Sequence, residues 1–428
     1  MLEPSTIVSI AKALGISATQ VFSTLKRAHA RVSEADAKEA AAAFFQAGAR
    51  IAEEGLAHQV LGRYYPVEEQ IALGFAPYAY QVGNQNLVTT VATRNEWISR
   101  VPLASDFEKC RLTVCSSPPM QIAEERIAKL LVSLSLRNIR VWDAPLYRLI
   151  DLDIRDRTLS ANFSLESFYR YRVTNGALID ELVQALLDTD FNPNAVLEAR
   201  ERYLPLRQHL LPDMRSVAEF RSRLCTGGVN VVTAIARPQP FCDYAIVLQR
   251  RSASVSSRQG GLTVLPAGQH QPTVEPESEV GISCTVFREV FEELFGGHEL
   301  ESGSMHLVYD WFCHESPPLK WLMNHKGAYD LLMTGFGLSM MSGGYTFSVL
   351  LAIHDQSFWT QFRHLLRTNW EVSDVHQPIF STRSRSLDLL LHPEWTDYGI
   401  FSLVEGILEL QRIKPNMVAL PSLQRSLS

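Results

Sequence analysis

Three carboxylates crowd one short stretch, Phe287-Arg288-Glu289-Val290-Phe291-Glu292-Glu293-Leu294-Phe295-Gly296-Gly297. On an α-helix Glu289, Glu292 and Glu293 fall at i, i+3 and i+4 and share one face. Val286, Val290 and Leu294, with Phe287 and Phe291 beside them, make an apolar stripe that can dock the helix on a core. Like charges at this spacing repel mildly, and a divalent cation removes that repulsion. Oxygen donors of this kind suit Mg²⁺ or Mn²⁺, which share their shell with waters and phosphate oxygens. Arg288, four residues before Glu292, is placed to orient it by a charge-assisted hydrogen bond. A solvated surface helix has the same spelling, and the eleven residues alone favour that plainer account.

The chain around this stretch must supply a core for it. Its 428 residues are long enough for two or three domains, and 46% hydrophobic with 20% charged is the composition of a water-exposed globular protein with more than one core. A net charge of −6 argues against a surface given over to nucleic acid. The six cysteines form no Cys-x-x-Cys pair and suit a reducing compartment. The opening Met1-Leu2-Glu3-Pro4 does not read as a signal peptide, and no apolar run is long enough for a membrane span. The expected location is therefore cytoplasmic.

Along the chain, residues 1–61 read as helical, 62–190 as an α+β accessory region, 191–224 as a helical connector and 225–428 as the unit that carries the acidic stretch. In the accessory region NLVTTVAT and CRLTVCSS read as strands, and GALIDELVQALLDT as a helix with Leu178, Leu182, Leu186 and Leu187 on its apolar side. In the last unit VNVVTAIARP, DYAIVLQRRS, GLTVLPAG and YTFSVLLAI read as strands, and YGIFSLVEGILELQRI as a long helix. The expected fold class is α+β.

In this setting Arg288-Glu289-Val290-Phe291-Glu292-Glu293 resembles the signature of the Nudix family, whose loop-helix motif carries Arg-Glu-U-x-Glu-Glu with U aliphatic. DYAIVLQRRS is similar to that family's early strand, and LTVLPAG to the strand and turn before the motif, with Gly268 as its glycine. The resemblance covers roughly residues 225–412. It implies an α/β/α sandwich with a mixed sheet, and hydrolysis of a pyrophosphate bond in a nucleoside diphosphate derivative. It further implies Mg²⁺ or Mn²⁺ held by Glu289, Glu292 and Glu293, with Glu289 a ligand or the base, and Arg288 and Glu292 in the catalytic set. Substrate would be met by Arg250, Arg251, Gly268 and His270. Three departures stand out. Phe295 occupies the place of a glycine, Val280 stands where a glutamate is expected with Glu279 one position off, and the Gly268-to-Arg288 spacing is six residues longer.

Each of these residues also has a plainer account. Arg250 and Arg251 suit a solvated strand end, and His270, which with Gln271 could line a pocket, suits an exposed loop. Glu371 is a weaker late carboxylate. Residues 332–347, rich in Gly and Met, read either as a mobile lid that stacks a base or as core. At the start of the chain, Ala11, Gly15 and Val21 follow helix-turn-helix spacing, with Gln20, Lys26 and Arg27 placed for DNA. A small helical packing element explains that segment somewhat better. Three functions follow: a Mg²⁺-dependent hydrolase, a ligand-sensing transcriptional regulator with an inactive site, or an interaction platform. The expected partner is a nucleotide-derived small molecule, with DNA for the regulator; a homodimer is an open alternative, and no membrane partner is expected.

Overall fold

A computed structural model of the chain describes Thr19 and residues 34–103, 109–117, 143–251, 260–297, 311–366, 379–383, 388–420 and 423–426. Of the segment read as helix-turn-helix only Thr19 is described, and Glu371 also lies outside the described residues. The fold is α+β. No helix among the described residues is long and apolar enough to cross a membrane.

The strands in chain order are β1 (Ala76–Val82), β2 (Gln85–Thr93), β3 (Val101–Pro102), β4 (Cys110–Val114), β5 (Pro145–Arg155), β6 (Thr158–Ser167) and β7 (Gly227–Ala236). They continue with β8 (Tyr244–Arg250), β9 (Leu262–Val264), β10 (Ala267–Gln269), β11 (Tyr329–Ser339), β12 (Tyr345–Ile353), β13 (Ile379–Ser381) and β14 (Leu423–Ser426). Among the described residues eleven strands join one sheet, in the order β13-β8-β7-β12-β11-β2-β1-β14, with β10 on β7, β3 on β11 and β9 on β8. β7 and β12 run parallel, while β11–β12 and β1–β2 are antiparallel. The three strands β4-β6-β5 make a second, small sheet.

Helices cover both faces of the large sheet. Val286, Val290 and Leu294 of the acidic helix pack with Val229, Val231 and Val247 on one face. Ile400, Phe401, Val404 and Ile407 of the helix Asp397–Ile413 pack with Val232, Ile246 and Leu350 on the other. A strand covered on both sides is apolar without alternation, and β12, Tyr-Thr-Phe-Ser-Val-Leu-Leu-Ala-Ile, is buried at every position. β5 and β6 alternate instead, because one face of the small sheet meets water.

β1 and β2, from the region read as accessory, pair in the same sheet as β7, β8, β11 and β12. Residues 332–347 are not a lid; they form the buried hairpin of β11 and β12. Its turn is gripped from the connector. Arg207, fully buried, donates to the Met340 carbonyl at 2.7 Å and to the Met341 carbonyl at 2.6 Å. Arg223 donates to the Gly343 carbonyl. Gly337 lacks a side chain because a Cβ there would overlap Val91 of β2. That glycine is what close strand approach requires.

Candidate active site

The acidic stretch is helical from Ile282 to Glu289, and then widens into a π-helical turn over Val290–Leu294. Such a turn is a recurrent feature of functional sites. It carries Glu292 and Glu293, while Glu289 ends the regular helix. All three carboxylates are nearly sealed from water, with exposures of 7%, 9% and 2% for Glu289, Glu292 and Glu293. A solvated surface helix would show them exposed, so that account fails for this stretch.

The turn sits against β10. The Glu289 carboxyl lies directly over Gly268, where any Cβ would overlap it. Glu293 accepts the Ala267 N–H at 2.8 Å. Arg288 is buried and spans the junction. Its guanidinium donates to the Gln271 carbonyl at 2.7 Å, to the Gln269 carbonyl at 3.1 Å and to Glu289 at 2.7 Å. Burial works against the charge on Arg288, but Glu289, Glu292 and Glu279 outweigh it and raise its pKa above the ordinary guanidinium value. Glycine at 268 therefore makes room for a carboxylate, and Arg288 fixes the chain on either side of residue 270.

The expanded loop between β10 and the helix has its own internal brace. Glu279 accepts the Thr273 N–H at 2.8 Å, the Thr273 hydroxyl at 2.7 Å and the Val274 N–H at 2.7 Å, together with the Glu275 N–H. A carboxylate taking four donors closes a loop of this length on itself. Sequence reading left Glu279 as a glutamate out of register; the donors at 273–275 give it a defined structural task.

His270 is fully buried and does not line an open pocket. Its Nε2 lies 2.9 Å from the Val280 carbonyl, which only accepts, so Nε2 carries the proton. Its Nδ1 lies 2.9 Å from the Tyr345 hydroxyl. Burial, with Arg288 nearby, drives its pKa down to about 3 although the Val280 carbonyl favours the charged ring. With both ring nitrogens engaged, His270 has no donor left for a phosphate. Arg250 pairs with Glu394 at 2.6 Å and donates to the Gly260 carbonyl at 2.7 Å. The backbone of Arg251 bonds with Gly260 and Gly261. The structure thus unites Glu289, Glu293, Arg288 and Gly268, while it holds Arg250 at the end of β8 by Glu394 and spends His270 on the core.

Sequence reading also passed over Gln249. It is fully buried, on the same side of β8 as Ala245 and Val247, whose core cluster contains Val286 and Val290. Among the described residues neither its amide nitrogen nor its amide oxygen has a hydrogen-bond partner. At the far end of the sheet a second polar chain runs from the Tyr244 hydroxyl to His354 Nδ1 at 2.6 Å and from His354 Nε2 to Asp330 at 2.9 Å.

The all-oxygen donor set fits a hard divalent cation in its chemistry. Its present arrangement does not gather the donors at a point: among the described residues no three His, Cys, Asp or Glu side chains converge to hold a metal ion. Glu289 is turned to Arg288 and Glu293 to the Ala267 amide, so a cation would have to draw them from these partners. Compared with known proteins, the chain matches no family model and no curated protein.

Proposed function

We propose that the chain is a Mg²⁺- or Mn²⁺-dependent hydrolase of Nudix type, cleaving a pyrophosphate bond in a nucleoside diphosphate derivative. One observation carries this reading: three carboxylates within five residues of one helix are nearly sealed from water, the first of them lying over a glycine of the sheet. Burying like charges together is costly unless positive charge joins them. The helix on one face of a mixed sheet, with a second helix on the other, supports the α/β/α sandwich that the motif implies.

In this reading Glu289, Glu292 and Glu293 hold the cation, which when bound neutralises phosphate charge and acidifies a water. Arg288 keeps Glu289 oriented and holds the 269–271 backbone against it. The low exposure of the turn excludes bulk water from the carboxylates and strengthens every charge interaction there. Substrate recognition falls to residues other than His270.

A second reading, a ligand-sensing regulator with an inactive site, is favoured by one specific feature: Glu289 and Glu293 already have protein donors, and three ligands do not converge. Titration with Mn²⁺, followed by electron paramagnetic resonance, tests the choice alongside turnover of nucleoside diphosphate derivatives. The hydrolase predicts Mn²⁺ binding that Glu292→Gln weakens by about tenfold or more, and metal-dependent nucleotide release. Nucleotide binding without turnover in Mg²⁺ or Mn²⁺ would decide for the regulator.

A further inference from the structure

The small sheet is joined to the acidic turn by an unbroken run of contacts, and Tyr147 of β5 is at its centre. The Tyr147 N–H donates to the His270 carbonyl at 3.1 Å. Its hydroxyl donates to the Pro276 carbonyl at 2.7 Å. Its ring lies 4.5 Å from the His270 ring, centroid to centroid. The Tyr345 hydroxyl lies 3.1 Å from the Tyr147 carbonyl and 2.9 Å from His270 Nδ1. Beside it, Leu149 N–H donates to the Cys225 carbonyl at 2.7 Å, which docks β5 on the entry to β7.

These contacts all fall on the 270–280 loop or on its immediate supports. The loop is pinned at its start by the amide of Tyr147, in its middle by the Tyr147 hydroxyl, and at its end by His270 Nε2 on Val280. Arg288 grips the carbonyl of Gln269, the last residue of β10, and that of Gln271 in the loop, on either side of His270. A shift of β5 therefore moves His270, the flanking carbonyls, Arg288 and the Glu289 carboxylate in turn. Packed cores pass on such shifts because they have little free volume.

From this geometry we infer that the small sheet is a working part of the acidic site, and that Tyr147 is its positioning residue. Tyr147 touches no carboxylate of the turn in this arrangement; it acts through the loop and Arg288. The inference rests on the hydrolase reading for its effect on cation binding, but the coupling itself does not depend on that reading.

Two variants of the full chain test it. Tyr147→Phe keeps the ring against His270 and both backbone contacts, and removes only the hydroxyl bond to Pro276. Tyr147→Leu removes the ring as well. Amide hydrogen exchange in Tyr147→Phe should quicken by about fivefold at Val274, Glu275 and Ala267, the fold-change of one lost hydrogen bond. Amides of β11 and β12 should not change. Mn²⁺ affinity should fall by a similar factor in Tyr147→Phe and further in Tyr147→Leu, with the Phe variant melting close to the wild type. Ala267 is the discriminating position, because its N–H is bound to Glu293 and reports on the turn rather than on the loop. Unchanged exchange at Ala267 in both variants overturns the inference whether or not the protein binds Mn²⁺. Failure of the wild type to bind Mn²⁺, with Ala267 exchange still raised, sinks the hydrolase reading alone.

Discussion

Acidification from pH 7 to pH 5 should leave His270 uncharged. Its pKa is driven from 6.5 to about 3, chiefly by burial. That difference corresponds to about 5 kcal/mol against the charged ring. An unfolded chain protonates this histidine below about pH 6.5 and the folded chain does not, so the stability it contributes is full above 6.5 and is lost progressively towards pH 3. Integrated between pH 7 and pH 5, the loss is about 2 kcal/mol. Histidine-selective ¹⁵N NMR reads the effect directly. The signals missing from the His270→Gln variant should show a neutral ring with the proton on Nε2 throughout this range. Chemical denaturation of the two proteins should diverge less at pH 5 than at pH 7, by about 2 kcal/mol. If the missing signals instead titrate near pH 6.5, the ring is not sealed from water as its contacts require, and the account of the loop around it fails.

Two further substitutions probe the framework. Arg207→Lys cannot span the Met340 and Met341 carbonyls with a fork, and should cost roughly 2–4 kcal/mol by denaturant titration; a loss under about 0.5 kcal/mol would show that the hairpin turn does not need the grip. Gln249→Met replaces a buried amide that has no partner among the described residues by an apolar chain of similar length, and should stabilise the protein by about 1 kcal/mol; destabilisation would mean that the amide has a partner in solution.

The acidic helix was legible in advance because its two requirements are local. An apolar stripe and a cluster of carboxylates both appear within eleven residues. The widened turn at Val290–Leu294 was not, since spacing arguments assume a regular helix. His270 was misplaced for a related reason. A single histidine in a loop carries no sign of burial, and the groups that enclose it, Tyr147, Tyr345 and Val280, lie far apart in the chain or across the loop. The glycine-rich stretch at 332–347 suggested mobility, but Gly337 serves the close approach of β2, which only the pairing of distant strands reveals. Sheet membership was equally hidden, because alternation marks a strand and says nothing of its neighbour.

The pairing of β1 with β14 has a consequence for synthesis. Residues 76–82 leave the ribosome long before residues 423–426, and at roughly 5–20 residues per second the interval is on the order of tens of seconds. Throughout it the outer edge of β1 has no covering strand. Chains growing side by side on one messenger would offer that edge to one another. Faster elongation through the later half would shorten the time for which that edge stays open.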